Sequence, residues 1–323
     1  MTPGPQRQFS NHVGFTEVGP RDGFQNWPEP VPTAVKLDLI RAALEAGVER
    51  VEATSMVSPK WVPQLADSRQ VLAALDADID RVRVLVPNRR GYDDAIALGV
   101  RNVLVNVGVT DGFNRKNLNR SVQETLAEIE AITDDARGRG VRVDASISVA
   151  WGCPFDGPVT PAQVIEVAHR VVDSGCVELS FGDTIGVAFP DGVKAISELA
   201  LDRFPDTRIA MHFHDTRGMG VANTLAALEV GVRNFEGSIG GIGGCPFAPN
   251  STGNVCSEDL LLMVSELGFE TGVDIDRLAL AARVLARELD ADLPGKVHRA
   301  GRQPWAGPAE PTPAPGAPVT ARG

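Results

Sequence analysis

Cysteine is scarce in this sequence. The four that occur, Cys153, Cys176, Cys245 and Cys256, form no Cys-x-x-Cys pair. Disulfide-stabilised secreted domains are far denser in cysteine, so we expect free thiols in a reducing cytoplasm. The sequence also lacks an apolar run long enough to cross a bilayer. Residues 1–12 are polar, without the basic start and apolar core of a secretory signal, so neither membrane insertion nor secretion is expected.

Positive charge is under-represented. Lys and Arg total 31 against 42 Asp and Glu, which gives a formal net charge of −11. This balance argues against broad nucleic-acid binding. It leaves room for an anionic small ligand, because the charge of a pocket can oppose that of the whole protein. The length of 323 residues and the hydrophobic share of 43% suit one large α/β domain or two modest ones.

The pattern that dominates the chain is a β-rich run, a turn and an amphipathic helical run, repeated along the sequence. Helical runs are predicted at Pro32–Ala46, Val122–Gly138, Pro161–Ser174, Pro190–Phe204 and Gly220–Val230. Eight strands are predicted, at Gly14–Val18, Arg50–Thr54, Arg81–Val86, Asn102–Val107, Arg142–Val149, Cys176–Phe181, Arg208–His214 and Asn234–Ile239.

Eight such units predict a closed (β/α)₈ TIM barrel, whose active site lies at the carboxyl ends of the strands. A doubly wound open sheet is the structural competitor, but no Gly-x-Gly-x-x-Gly follows the first strand. Additional C-terminal helices are predicted at Glu258–Leu267 and Asp276–Leu289. We expect a flexible segment over residues 1–12, a catalytic barrel with its C-terminal helices over 13–298, and a disordered Pro/Ala/Gly tail over 299–323.

Histidine is also rare, and two of the five stand two residues apart in the seventh predicted strand, at His212 and His214. Side chains alternate along a strand, so both imidazoles point the same way and could bind one divalent metal. From the pair alone, metal ligands and hydrogen-bonded core histidines are equally good interpretations. Other polar residues at predicted strand ends favour the metal: Glu17, Arg21, Asp22, Glu52, Asn106, Ser146, Asp183 and Cys245.

Three of these residues also have simpler interpretations. Asp22 precedes a glycine and could be a turn residue, or it could give a metal its oxygen ligand. Arg21 could form a surface ion pair, or it could stabilise an oxyanion on a substrate carbonyl. Cys245 could be a small buried residue, although its glycine-rich loop suits a ligand-facing thiol. Cys153 lies in a similar Gly-Cys-Pro setting, and the residues alone do not choose between the two thiols.

The sequence resembles the 3-hydroxy-3-methylglutaryl-CoA lyase family, metal-dependent lyases built on a TIM barrel. The resemblance rests on Glu17-Val18-Gly19-Pro20-Arg21-Asp22-Gly23, Ser58-Pro59-Lys60-Trp61-Val62-Pro63-Gln64, Gly182-Asp183-Thr184-Ile185-Gly186, His212-Phe213-His214-Asp215-Thr216 and Gly243-Gly244-Cys245-Pro246-Phe247-Ala248 with Gly253-Asn254. These motifs occur in family order over about residues 13–290.

The resemblance implies a Mg²⁺ or Mn²⁺ ion bound by Asp22, His212, His214 and Asn254. It implies cleavage of a 3-hydroxyacyl-CoA, with 3-hydroxy-3-methylglutaryl-CoA giving acetyl-CoA and acetoacetate, and a homodimer. Arg21 would lie at the thioester carbonyl and Cys245 would be the catalytic thiol of a mobile loop. Supporting polar residues near the metal and substrate would be Glu52, Asp183 and Glu258. Candidate contacts to the anionic CoA are Lys60, Arg115 and Lys116.

Two positions in the acyl pocket depart from the family pattern. Ser146 stands where the family usually has a tyrosine, and Asn106 stands where it has an apolar or aromatic residue. A different, larger or more polar 3-hydroxy-3-carboxymethyl acyl group is therefore an alternative substrate. A condensing synthase and a non-catalytic metal- or acyl-CoA-binding protein are further competitors. The Gly-Gly-Cys-Pro loop and the short segment after the barrel disfavour the synthase, and the full set of metal ligands disfavours the binding protein.

Overall fold

In a computed structural model that describes residues 10–244 and 253–303, eight parallel strands close into a barrel surrounded by helices. The predicted TIM barrel is thereby confirmed. The barrel strands are β1 Gly14–Glu17, β2 Arg50–Ser55, β3 Val82–Leu85, β4 Asn102–Gly108, β5 Arg142–Ser148, β6 Glu178–Asp183, β7 Arg208–Phe213 and β8 Asn234–Gly237. Each of the eight predicted strands is present, with bounds that differ by at most two residues.

The strands pair in sequence order, and β1 closes the barrel against β8 with Gly14 opposite Asn234. The helices that cover it are α1 Thr33–Glu45, α2 Ser68–Ala73, α3 Arg89–Ala97, α4 Asp111–Leu118, α5 Val122–Arg139, α6 Pro161–Ser174, α7 Pro190–Arg203, α8 Gly220–Glu229, α9 Ser257–Glu266, α10 Ile275–Glu288 and α11 Val297–Ala300. Sequence periodicity predicted neither the short helices α2, α4 and α11 nor the small antiparallel ribbon of Gly152–Cys153 with Gly157–Pro158.

Local sequence explains where several helices begin and end. Ser121 and Thr160 each cap a helix through a reciprocal capping box, with Glu124 and Gln163 as the partners. Gly175 ends α6 with φ of 113°, a left-handed conformation that glycine adopts without a steric penalty. Among the described residues, no helix has the length and apolar character that a membrane crossing requires.

The core has two layers that follow from strand alternation. Outward-facing residues such as Val103, Leu179 and Met211 are buried between the barrel and its helices. The other face of the strands carries charged residues that bond to each other across the barrel. Arg50 donates to Asp144 at 2.8 Å and to Glu178 at 2.6 Å. This ionic layer lies beneath the carboxyl ends of the strands, where the sequence places the site.

The division of the chain into a flexible start, a catalytic domain and a disordered tail stays a prediction. Residues 1–9, 245–252 and 304–323 lie outside the described part of the chain.

Candidate metal and acyl-CoA site

The loop after β1 folds into one turn of π-helix over Gly19–Gly23. Its backbone is held by the Val18 carbonyl, which accepts N–H groups from Arg21 at 3.1 Å and Asp22 at 2.8 Å. The chain therefore turns sharply at the rim of the barrel. Arg21 and Asp22 are brought to the cavity at the carboxyl ends of the strands.

His212 and His214 lie at the end of β7 on the same side, with ring centroids 5.2 Å apart. The Nε2 atom of His212 is 3.9 Å from Asp22 Oδ2, and that of His214 is 3.7 Å from the same oxygen. One ligand atom from each of these three residues lies within 4.8 Å of the others. This is the spacing expected of groups that share one cation.

Asn254 joins this group from beyond β8 through an antiparallel bridge with His214. Its Nδ2 donates to Asp22 Oδ2 at 3.0 Å and to the Ile242 carbonyl at 3.1 Å. Its Oδ1 is buried and has no hydrogen-bond partner among residues 10–244 and 253–303. A buried amide oxygen without a donor is costly unless a cation uses it. The donor set of two imidazoles, a carboxylate and an amide oxygen fits a divalent metal ion. The choice of Mg²⁺ or Mn²⁺ stays a prediction.

The charges around the site keep Asp22 ionised. Burial would raise the pKa of Asp22, but Arg21 and the two histidines outweigh it and hold that pKa well below its usual range. The His212 Nδ1 atom lies 3.0 Å from Glu236 Oε2. Burial would likewise raise the pKa of Glu236, yet Arg83 and His212 lower it, so Glu236 is a carboxylate that can only accept. Burial lowers the pKa of His212, while Glu236 and Asp22 raise it by more. His212 therefore donates to Glu236 through Nδ1, and its Nε2 faces Asp22.

Arg21 is anchored between two acids. Its Nε donates to Glu52 Oε1, and its Nη1 donates to Asp22 Oδ1 at 2.5 Å. Burial lowers the pKa of this guanidinium, while Glu52 and Asp22 raise it by more. The side chain is therefore a fixed cation beside the candidate metal ligands.

A cavity of about 110 Å³ opens at this end of the barrel. Six of the predicted site residues line it, Arg21, Asp22, Asn106, Ser146, His212 and His214. The wall opposite the histidines is polar. Asn106 Nδ2 donates to Ser148 Oγ at 2.8 Å, and Asn117 Nδ2 donates to Asn106 Oδ1 at 3.5 Å.

Asp183 ends β6 and is almost fully buried. Its two oxygens accept backbone N–H groups from Val187 at 2.8 Å and Ala188 at 3.1 Å. Burial raises its pKa, and these hydrogen bonds oppose that shift without cancelling it. Its chain neighbours Gly182 and Thr184 line the cavity and Asp183 itself does not, although it is close enough to His212 and His214 for their charges to lower its pKa. Its predicted role near the metal and substrate stays a prediction.

Glu258 lies behind the site, where it supports the start of the loop after β8. Both of its carboxylate oxygens accept the Gly240 N–H at 3.1 Å. Glu17 does the same for the preceding residue, accepting the Ile239 N–H at 2.9 Å. Gly240 has φ of 67°, and a Cβ at this position would clash with the Leu293 side chain, so the fold needs glycine there. The predicted thiol Cys245 follows in this loop and lies outside the described residues.

The other predicted residues lie farther out. Arg115 is on the exposed face of α4 and forms an ion pair with Asp111 at 3.6 Å. Lys116 and Lys60 are also exposed, and none of the three lines the cavity, so a role in CoA binding stays a prediction for each. The competing thiol Cys153 is buried, and accepts a hydrogen bond from Thr110 Oγ1 at 3.1 Å.

Sequence reasoning missed Glu236 and Arg83, two buried charged residues that bond directly to predicted site residues. Each is a charged residue in the middle of a short apolar strand, Val82-Arg83-Val84 and Phe235-Glu236-Gly237. A charge at such a position must find a partner inside the barrel, so this pattern was the available signal.

Most of the chain is similar in sequence and in structure to known proteins. A family model described as HMGL-like matches residues 12–285. The mitochondrial hydroxymethylglutaryl-CoA lyase of Bos taurus is 42% identical over 293 residues, 90% of each chain. The (R)-citramalyl-CoA lyase of Chloroflexus aurantiacus is also 42% identical, over 90% of this chain and 95% of its own. An HMG-CoA lyase of Acinetobacter baumannii, solved with coenzyme A and 3-methylmalate, superposes with a TM-score of 0.87 at 34% identity, covering 94% of this chain and 99% of its own.

Proposed function

The chain belongs to the HMGL-like family and is a carbon–carbon lyase, and we propose that it cleaves a 3-hydroxyacyl-CoA in a reaction that depends on a divalent metal. The observation that carries this proposal is the convergence of Asp22, His212, His214 and Asn254 beside the fixed cation Arg21. Within the described part of the chain, Asn254 Oδ1 has no hydrogen-bond partner. These residues would hold Mg²⁺ or Mn²⁺. When bound, such an ion supplies Lewis-acid chemistry that acidifies a coordinated hydroxyl group.

Cleavage of the bond between C2 and C3 needs a base for the C3 hydroxyl and a cation for the electrons that reach the thioester. The candidates for the base are Asp183, which is close enough to His212 and His214 to feel their charges, and a water molecule held by one of these histidines. We assign the cation to Arg21, whose guanidinium is held by Glu52 and Asp22 and can stabilise the enolate oxygen. Protonation of the enolate carbon then yields acetyl-CoA, and the resemblance gives this step to Cys245.

The first candidate substrate is 3-hydroxy-3-methylglutaryl-CoA, which would give acetyl-CoA and acetoacetate. The second is a shorter or more polar relative such as citramalyl-CoA, which would give acetyl-CoA and pyruvate. The polar pair of Asn106 and Ser148 supports the second candidate. The identity of 42% to both the Bos taurus and the Chloroflexus aurantiacus enzymes is compatible with either substrate. A bound CoA ester is supported by the coenzyme A in the Acinetobacter baumannii structure. The homodimer and the cytoplasmic location stay predictions.

A substrate panel tests this proposal. The metal-loaded protein is incubated with each of the two thioesters, and acetyl-CoA, acetoacetate and pyruvate are quantified. Equal amounts of acetyl-CoA and one keto acid are expected, and the keto acid identifies the acyl group. Binding of both thioesters without any product would contradict a lyase and favour the binding-protein alternative.

A further inference from the structure

A single buried arginine on β3 connects the two sides of the candidate site. Arg83 is 0% exposed. Its Nη2 donates to Glu52 Oε2 at 2.6 Å and to Glu236 Oε1 at 2.7 Å. One nitrogen thus holds two carboxylates, which would otherwise be two buried like charges facing each other.

The second oxygen of each carboxylate points to the site. Glu52 Oε1 accepts the Arg21 Nε–H, and Glu236 Oε2 accepts from His212 Nδ1 at 3.0 Å. A continuous chain of charge-assisted hydrogen bonds therefore runs from Arg21 through Arg83 to His212. At its ends are the proposed enolate-stabilising cation and a proposed metal ligand.

We propose that Arg83 is a positioning residue that orients both Arg21 and His212 through this chain of hydrogen bonds. The inference rests on the function proposed above. Through Glu236 it holds an acceptor against His212 Nδ1, and so keeps the ring oriented with Nε2 toward Asp22. Through Glu52 it fixes the direction of the Arg21 guanidinium. Metal binding and transition-state stabilisation thereby depend on one residue that touches neither metal nor substrate.

The geometry requires an arginine. Arg83 also uses Nη1, which donates to Glu178 Oε1 at 3.3 Å in the ionic layer below. Its planar guanidinium reaches three carboxylates from one buried position, which the single ammonium of a lysine cannot reproduce. The Arg83 guanidinium therefore also connects the site to the ionic layer below it, and this connection fixes the position of the hydrogen-bond chain.

A purely structural role for Arg83 in the ionic layer is the alternative, and the chain offers a matched control for it. Arg50 is also buried, at 7% exposure, and it holds Asp144 and Glu178 at 2.8 and 2.6 Å. Among the described residues, its hydrogen bonds and ion pairs do not include Glu52 or Glu236. Replacing either arginine by methionine removes a buried cation, but only Arg83→Met breaks the hydrogen bonds that lead through Glu52 and Glu236 to the site.

The experiment compares wild type, Arg83→Met and Arg50→Met. Unfolding midpoints, Mn²⁺ affinity of the metal-stripped proteins by calorimetry, and kcat and KM for acetyl-CoA release are measured. Both variants should lose stability. Arg83→Met should bind Mn²⁺ at least about 10-fold more weakly, the size of effect known for groups that orient metal ligands. Its kcat should also fall about 10-fold or more, while Arg50→Met stays within about 3-fold of wild type in both.

Mn²⁺ affinity and kcat of Arg83→Met within 3-fold of those of Arg50→Met would overturn the proposal. If Arg83→Met does not fold, Glu236→Gln replaces it. The glutamine keeps the shape and the acceptor for Arg83 but presents an N–H to His212 Nδ1, which forces the proton to Nε2. Weaker Mn²⁺ binding and a changed ¹⁵N tautomer signature of His212 are expected, and unchanged binding would overturn the proposal. A wild type that neither binds Mn²⁺ nor releases acetyl-CoA would instead contradict the proposed function.

Discussion

Glu17 gives a quantitative prediction for the pH dependence of stability. Its side chain is fully buried between the π-helical turn and the loop after β8. Oε1 accepts N–H groups from Gly19 at 2.8 Å and Ile239 at 2.9 Å, and Oε2 accepts from Ser257 Oγ at 2.6 Å. Burial outweighs these hydrogen bonds and raises the pKa of Glu17 from its ordinary 4.5 to about 8.

The sign of the effect follows from proton linkage. Between pH 4.5 and 8 the folded protein keeps a proton on Glu17 that the unfolded chain has lost, so the free energy of unfolding falls as pH rises through this range. At about 1.4 kcal/mol per pKa unit, the loss reaches roughly 5 kcal/mol once the pH exceeds 8. Glu17→Gln imitates the protonated acid and should remove this slope.

The assay is urea unfolding of wild type and Glu17→Gln at a series of pH values from 5 to 9. Glu229→Gln, which removes the same formal charge from a half-exposed side chain, is the control. The stability of Glu17→Gln relative to wild type should increase steadily with pH, and that of the control should not. A difference that stays constant from pH 5 to 9 would refute the view that Glu17 is buried as the neutral acid.

Three further predictions concern the site. Asn254→Ala removes the buried Oδ1 and should weaken Mn²⁺ binding at least about 10-fold by calorimetry, whereas unchanged affinity would exclude it as a ligand. Cys245→Ala should abolish most acetyl-CoA release while Cys153→Ala retains it, and the reverse result would identify Cys153 as the reactive thiol. Asn106→Leu leaves Ser148 Oγ without its donor. It should lower kcat/KM for carboxylate-bearing thioesters about 10-fold, chiefly by raising KM. Unchanged steady-state kinetics would show that this wall does not contact the acyl group.

The sequence predicts the barrel well because its signals are local. Eight apolar runs separated by amphipathic segments appear in the chain as period and spacing, and glycines such as Gly175 mark the helix ends. Short elements escape such reasoning. Helix α4 has only eight residues, Asp111–Leu118, and its polar composition resembles a loop.

The residues of the site also fall into those that the sequence predicts and those that it does not. Residues with distinctive chemistry in motifs, such as Asp22 and His212, could be selected before any geometry was known, and the structure brings them together. Arg83 and Glu236 could not, because their partners come from other strands and depend on the register of the closed barrel. Which carboxylate faces which cation is a property of the assembled interior.

The most direct test of the account is a metal titration of activity. The metal-stripped protein is mixed with 3-hydroxy-3-methylglutaryl-CoA or citramalyl-CoA, and initial rates of acetyl-CoA release are followed as Mn²⁺ is added, for wild type and His214→Ala. For the thioester that the wild type cleaves, its rate should rise from near zero and saturate at one ion per chain, while His214→Ala stays near zero at the same Mn²⁺ concentrations. A full rate without added metal, or equal titration curves for the two proteins, would contradict the central claim that Asp22, His212, His214 and Asn254 form the metal site of a lyase.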